Sequence, residues 1–466
     1  MAASLEFGFP NVTGSNIIIN SRNKKILLDY GMYQGPKDES YLKNLKVYES
    51  DFKPDHIILS HAHIDHSGNI PILTSKGYNG TIFATPQTFD LCKHMLLDSA
   101  KVAGKELPII SRQLRNKGIK TKVFPLYTED DAKYCLMKNW KLVDYNIPTK
   151  IEDNVEFTFF DSCHILGSAS IQINVKDKSK HRIYYTSDLG HDSSMICNEP
   201  IVPQGIDYLI CESTYGLRKR DTNYDVEQNL INYITDAFKR GGRVLIPAFS
   251  VGRMQNMILV LHKLHILGLI PNIPVYVDSP LSSKVTTLYD KYKDTMNDEF
   301  MSFFKSRNIQ PFTGDCITYL EPLDDIIQKS NHPCVILSSS GMADGGKVRA
   351  HIPTILEDKN STICFVGYNA PSTTGYLIEN HQGKVSIDGE SIRVRCKIEK
   401  IENLSAHADQ TYLRKYINKA NELNYLKTVF LIHGDKEAKL MLKKLLEQDG
   451  IQNVVIPEVG ETYNLK

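Results

Sequence analysis

Ser60-His61-Ala62-His63-Ile64-Asp65-His66-Ser67-Gly68 decides how this chain of 466 residues reads. An apolar run, His56-Ile57-Ile58-Leu59, stands before it and reads as a buried strand. Asn69-Ile70-Pro71-Ile72-Leu73 follows it as a helix start. The stretch is therefore a strand-to-helix turn that carries three histidines and one aspartate. Alternate positions of an extended segment project the same way, so His61 and His63 share a side. Asp65 and His66 fall opposite as the chain curls into the helix. Such a turn suits two adjacent metal ions, each taking two ligands from one short loop. Imidazole nitrogen with carboxylate oxygen favours zinc, with manganese or iron as alternatives. A merely polar loop gives no reason for so many ligand types in so few positions.

Outward from this turn, composition sets the frame. The chain is long enough for two or three domains. Hydrophobic residues at 41% and charged residues at 23% are ordinary for a globular protein and exclude a disordered chain. No apolar run approaches a membrane span. Met1-Ala2-Ala3-Ser4-Leu5 lacks a basic region before a hydrophobic core, so no signal peptide is expected. The nine cysteines are an odd number without a C-x-x-C pair. They read as free thiols of a reducing compartment, which places the protein in the cytoplasm. A net charge of +1 argues against large basic arms but allows a locally basic cleft. No low-complexity segment and no repeat of solenoid period is seen.

Other stretches repeat the design of a strand followed by a ligand type. Asn16–Asn20 and Lys25–Asp29 read as a hairpin, and Asp29 closes its second strand. Gly80–Ala84 is a strand, and Thr85-Pro86-Gln87 opens a helix with a cap and a proline in its first turn. Residues 101–150 are lysine-rich and read as helices and a connector, without chemistry. Phe157–Phe160 leads to His164 before a Gly167-Ser168 turn, Tyr184-Tyr185 leads to Asp188, and Asp207–Cys211 leads to Glu212. Arg218-Lys219-Arg220 is a local basic cluster.

From about 217 to 400 strands alternate with helices, which implies a largely parallel sheet with binding residues at the strand ends. Val226, Leu230, Tyr233, Ile234, Ala237 and Phe238 mark one helical face, and Gly241-Gly242 ends that helix. The strands Arg243–Pro247, Val275–Asp278 and Cys334–Leu337 lead into small, glycine-rich loops that suit phosphate against backbone amides. Leu404–Asp409 contains His407, and the strand Thr428–Ile432 ends in His433.

The turn at His61–His66 resembles the signature of the metallo-β-lactamase superfamily. Glu212-Ser213-Thr214-Tyr215-Gly216, Gly241–Arg253, Val277–Leu281 and Ser339–Gly346 look strongly like the β-CASP group, its nucleic-acid-processing branch. The resemblance covers nearly the whole chain. It implies an α/β fold: a four-layer αββα sandwich with an inserted β-CASP α/β domain that caps the active site. Residues 1–216 would be the first part of the sandwich, 217–400 the β-CASP domain, and 401–466 the return with motifs B and C. It also implies a catalytic core without an added N-terminal RNA-binding module or long C-terminal extension.

The implied roles follow motif by motif. His61, His63 and His164 would hold one zinc, Asp65, His66 and His433 a second, with Asp188 bridging both and Asp29 behind the ligand loop. Asp65, Asp188, Glu212 and His407 would be catalytic, His407 as proton donor to the leaving 3′ oxygen and Glu212 as its orienting partner. Arg253, Ser340, His351, Thr373 and Thr374 would bind substrate. A histidine at motif C, here His433, resembles RNA-processing members rather than DNA nucleases. The implied activity is a zinc-dependent ribonuclease, related to RNase J and the cleavage-and-polyadenylation endonuclease. A metal-activated hydroxide would cleave single-stranded RNA, with endonuclease and 5′ exonuclease action both open, no membrane partner, and a homodimer left open. A DNA nuclease and a small-molecule metallo-hydrolase are the rival readings. Four positions depart from the family pattern: Ser187 and His191 flank the Asp188 motif where glycine and arginine are frequent, Arg220 stands where a histidine is common, and Tyr376 replaces an arginine.

Overall fold

The computed structural model describes residues 3–192, 194, 196–221, 223–320, 332–371, 373–387 and 389–466. The chain forms two compact units, one from residues 1–194, 199–219 and 407–466, the other from 195–198 and 220–406.

The first unit is built on two seven-stranded sheets. Ile17, Ile19, Ile26, Leu28, Ile58 and Phe83 of one sheet interleave with Phe157, Phe159, Ile171, Ile173, Tyr185, Ile210 and Phe430 of the other. Side chains of a strand alternate between faces, so the intervening residues must be covered as well. Leu209, Cys211, Val429 and Leu431 are, packing on Leu413, Ile417, Leu442 and Leu446 of the helices Gln410–Asn424 and Lys436–Gln448. On the other sheet Leu27, Ile57 and Ile82 are also fully buried.

Strand direction gathers the ligand loops. Lys180–Tyr185, Tyr208–Glu212 and Thr428–Ile432 run parallel, with Tyr185 opposite Ile210 and Glu212 opposite Ile432. Asp188, Glu212 and His433 therefore emerge at one sheet edge. Val155–Asp161 is antiparallel to Ala169–Lys176, which is antiparallel to Lys180–Tyr185, so the chain reaches His164 at that same edge. In the other sheet Lys24–Leu28 lies parallel to His56–Ile58, which sets Asp29 beside the start of the histidine loop. The loop contains one helical turn, Ile64–Ser67, and Asn69 precedes the helix Ile70–Ser75.

Part of the sequence reading needs correction. Residues 101–150 are not only helix and connector. The helix Pro86–Asn116 runs for 31 residues, Glu129–Leu136 is a second helix, and Trp140–Leu142 and Thr149–Glu152 are the edge strands of the two sheets. These edge strands are short and largely uncovered, because only one neighbour pairs with each and their outer side meets water. Phe238 is exposed, whereas Leu230, Ile234 and Ala237 do form the buried face of the helix Val226–Lys239. All nine cysteines are free and buried.

The second unit holds a six-stranded sheet whose paired strands are all parallel. Pro247, Ser338 and Asp278 stand in register at the carboxyl ends of three neighbouring strands. Among the described residues no helix is long and apolar enough to cross a membrane.

Candidate metal centre

The histidine loop is held against its neighbours by backbone. Met32 N–H donates to Ile64 O, Tyr30 N–H to His66 O, and Ser15 N–H to Asp65 O. Gly31 lies so close that a Cβ there would stand 1.5 Å from the carbonyl oxygen of Asp65. Only glycine allows this approach. At Gly190 a Cβ would similarly meet the carbonyl oxygen of Cys163 at 1.9 Å, which lets the Asp188 loop settle on the His164 loop.

Two sets of ligand atoms result. In the first, Nδ1 of His63 lies 3.1 Å from Nε2 of His61 and 3.2 Å from Nε2 of His164. Oδ2 of Asp188 is 3.6 Å from the former and 3.4 Å from the latter nitrogen. In the second, Nε2 of His66 and of His433 are 3.3 Å apart, and Oδ2 of Asp65 is 3.5 Å from Nε2 of His433. Oδ1 of Asp188 stands 3.2 Å from Nε2 of His66. That oxygen is buried and accepts no well-directed hydrogen bond among the described residues. One carboxylate thus offers an oxygen to each set.

Hydroxyl and carboxylate partners decide which nitrogen carries each proton. Asp29 accepts from Ser60 N–H at 2.7 Å, from the Ser60 hydroxyl at 2.8 Å and from the Tyr185 hydroxyl at 2.8 Å. The Ser60 proton being committed, its oxygen accepts from Nδ1–H of His61 at 3.0 Å, and Nε2 keeps its lone pair toward the first set. Nδ1–H of His66 donates to Asp29 at 2.8 Å, which turns its Nε2 toward the second. The Thr214 hydroxyl donates to the His433 carbonyl at 2.9 Å and accepts from Nδ1–H of His433 at 3.1 Å. Burial holds His61 and His164 well below the usual imidazole range, hence neutral, the form that ligates. Burial alone would raise Asp188, but His433 and His66 hold it well below the usual carboxylate range.

These donors fit divalent cations. In a tetrahedral site with zinc–nitrogen bonds of about 2.0–2.1 Å, neighbouring nitrogens are about 3.3 Å apart. The observed spacings of 3.1, 3.2 and 3.3 Å match. Buried Asp29 and Asp188 also flank His66 and, against the cost of burial, hold its imidazole well above the usual range, so positive charge is favoured there, whether a proton or a metal ion.

Beside the first set stands His407. Its Nδ1–H donates to both oxygens of Glu212, at 3.0 and 3.2 Å, and its Nε2 is 4.0 Å from Oδ2 of Asp188. Burial opposes its charge, but Glu212 outweighs that and pushes the imidazole up to about 10. Glu212 is fully buried and fixed by the backbone N–H groups of Leu189 at 2.6 Å and Thr214 at 3.2 Å.

Residues 11–113 match the family model of the metallo-beta-lactamase superfamily, 254–378 that of the Beta-Casp domain, and 391–457 that of the Zn-dependent metallo-hydrolase RNA specificity domain. An RNase J-like protein of Methanocaldococcus jannaschii is 30% identical over 437 residues, which cover 93% of this chain and 92% of that protein. The chain belongs to the β-CASP group of the metallo-β-lactamase superfamily.

Among other β-CASP relatives, a Thermus thermophilus protein named a ribonuclease is 28% identical over 97% of this chain and 96% of its own length. The transcription termination factor FttA of Methanosarcina mazei is 29% identical over 92% of this chain, but the chain spans 66% of that factor's length. A crystal structure of an Enterococcus faecalis protein of unknown function overlaps the whole of both chains with a TM-score of 0.52 at 14% identity, a likeness of fold.

The residues expected to bind substrate lie in the β-CASP unit. Arg253 is the first residue of the helix Arg253–Ile266, after Gly252 at a φ of 78°. His351 is buried, with Nε2 2.7 Å from Oδ2 of Asp278, so it is anchored at a strand end. Thr373 caps the helix Thr374–Glu379, and Thr374 accepts from Arg349 at 2.9 Å while its N–H donates to Asp344 at 2.6 Å. Ser340 sits in the turn after Val335–Ser338, where its N–H donates to Gly345 O. Ser372, next to these threonines, lies outside the described residues.

Sequence reasoning missed Ser60, Tyr185, Ser187 and Thr214 around the ligands, and Asp278 and Arg349 in the β-CASP unit. Ser187 seemed only a departure from glycine. It keeps the left-handed backbone, with φ at 54°, and uses its hydroxyl to donate to Ser60 at 2.6 Å, 3.3 Å from Nδ1 of His61. His191 is buried, Arg220 donates to the Ser405 carbonyl at 2.7 Å, and Tyr376 is 37% exposed, open to stacking.

Proposed function

We propose that this chain is a metal-dependent ribonuclease that hydrolyses phosphodiester bonds in single-stranded RNA and holds two zinc ions. The observation that carries the reading is Asp188, which turns one oxygen to each of two ligand sets while His407, paired with Glu212, stands beside it. The ribonuclease and RNase J-like names of relatives matched along nearly their full length support RNA as substrate. His61, His63 and His164 would hold one ion, Asp65, His66 and His433 the other, and Asp188 both. Bound divalent cations supply Lewis acidity, which lowers the pKa of water and neutralises charge on phosphate oxygens.

The chain's own groups do the rest. Ser60, Asp29 and Thr214 keep the imidazole lone pairs aimed at the ligand sets. His407 keeps its proton at neutral pH because Glu212 stabilises the cation, and Nε2–H is the proton that would pass to the leaving 3′ oxygen. Arg253 and the backbone amides of its helix start would hold a substrate phosphate.

Elemental analysis of protein purified without added metal is expected to find about two zinc ions per chain. Labelled single-stranded RNA should be cleaved much faster than the same RNA in a duplex, the matching DNA or a thioester. Cleavage of RNA by metal-free protein, or preference for DNA or thioester, would overturn the reading. Arg253→Ala should raise KM more than it lowers kcat, because uniform phosphate binding is what the substitution removes. Steady-state kinetics on one RNA would measure this, and a defect confined to kcat would count against a phosphate-binding role.

A further inference from the structure

The chain's basic charge is concentrated in one place that the catalytic reading does not use. Residues 101–122 contain seven lysines and arginines and one acid, Glu106, a net +6 in a protein of net +1. The remaining residues therefore sum to −5. All seven basic side chains are exposed. Lys101 pairs with Glu129, and Lys117 with Asp38 and Glu39. Lys105, Arg112, Arg115, Lys120 and Lys122 have no acidic side chain within 4.0 Å among the described residues.

Geometry orders this charge. At about 100° per residue, Lys101 and Lys105 mark one side of the helix Pro86–Asn116 before its interior Pro108, and Arg112 and Arg115 continue it after that proline within an ideal arc of about 80°. The buried Ile110 and Leu114 lie on the opposite side. A solvated helix face ordinarily mixes both signs, whereas this one is a basic stripe about 21 Å long at 1.5 Å per residue. The helix also starts at the candidate centre. The hydroxyls of Thr85 and Thr88 both donate to the carbonyl of Gly167 at 2.8 Å, in the loop that carries His164. Along the helix path Lys101 lies about 23 Å and Arg115 about 44 Å from that start, with Pro108 between them.

We propose that Lys105, Arg112, Arg115, Lys120 and Lys122 form an accessory track for the phosphate backbone of single-stranded RNA beyond the bond being cleaved. The proposal rests on the ribonuclease reading for its ligand. A polyanion gains affinity by releasing counterions at each neutralised phosphate, and Lys105, Arg112 and Arg115 along the helix, with Lys120 and Lys122 in the segment that follows it, offer that without base specificity. At about 3.4 Å per stacked nucleotide, the first residue of the track, Lys105, lies about eight nucleotides from the start of the helix. Short RNA should not reach it.

The test replaces these five residues together by glutamine and compares oligouridylates of about 6 and about 24 nucleotides, lengths on either side of that reach. Binding is read by fluorescence anisotropy in the His407→Ala background, so that RNA is not consumed, and cleavage is read with His407 intact. For the long RNA the dissociation constant should rise at least about tenfold at low salt, and the slope of log K against log salt should lessen by about three. Cleavage of the short RNA should be unchanged. Arg112→Gln alone should lessen the slope by about one, which keeps the test decisive if the fivefold variant does not fold. Unchanged long-RNA affinity and slope would overturn the proposal. So would loss of binding to phosphatidylserine vesicles with RNA binding intact, since the stripe would then serve an anionic lipid surface. Failure of the parent protein to cleave the short RNA would instead strike the ribonuclease reading, leaving the binding comparison to judge the track.

Discussion

RNA cleavage by Asp188→Ala is expected to fall below detection, with bound metal dropping from about two ions per chain to less than one. Two ligand sets depend on this one carboxylate, Oδ2 facing His61 and His164 and Oδ1 facing His66. Removing it takes away the carboxylate the two sets share, leaving the three imidazoles of the first set without an anion and Asp65 alone in the second. His66 would keep Asp29 at 2.8 Å and Asp65 at 3.9 Å as partners of opposite charge. Metal analysis and cleavage of labelled RNA on the same preparation check this. A variant that retains both ions would show that Asp188 is not shared. Asp188→Asn should behave similarly, because the amide has the shape but neither the charge nor two acceptor oxygens.

His407→Ala is expected to keep its metal and its fold while cleavage slows by roughly two to four orders of magnitude, the range for loss of a general acid. The imidazole touches Glu212 and stands 4.0 Å from Asp188, but belongs to neither of the two histidine-rich sets. Its side chain is 20% exposed, so truncation opens a space that water can fill. Glu212→Gln should produce a smaller defect, since it removes the charge that keeps His407 protonated while leaving a hydrogen-bond acceptor. Circular dichroism, metal content and single-turnover cleavage separate these outcomes. Loss of metal from His407→Ala would move that residue into the ligand set.

The ligands themselves were legible in sequence because each announces its place locally. An apolar strand ends, and a histidine or acid follows at the strand's carboxyl end, as at Leu59, Tyr185, Cys211 and Ile432. The parallel pairing of these strands then needs no further signal to bring Asp188, Glu212 and His433 together. Inside the β-CASP unit the same logic anticipated strand ends at Pro247, Asp278 and Ser338 but not their contacts, such as Asp278 with His351. The edge strands Trp140–Leu142 and Thr149–Glu152 escaped because a strand paired on one side needs little hydrophobic pattern.

What the sequence by itself determined is thus the family, the two sheets' central strands and the set of metal-ligand candidates: imidazole and carboxylate groups are few, and their order along the chain is distinctive. The tertiary structure alone decided how those groups are tuned. Ser60, Ser187, Tyr185 and Thr214 come from three different ligand-bearing loops and strands and meet at Asp29, His61 and His433. A hydroxyl both donates and accepts, and it suits turns, caps and surfaces equally, so its type carries no sign of its partner. Only the packing that sets each of these hydroxyls, buried or half-buried, beside an imidazole or a carboxylate determines which nitrogen keeps its lone pair.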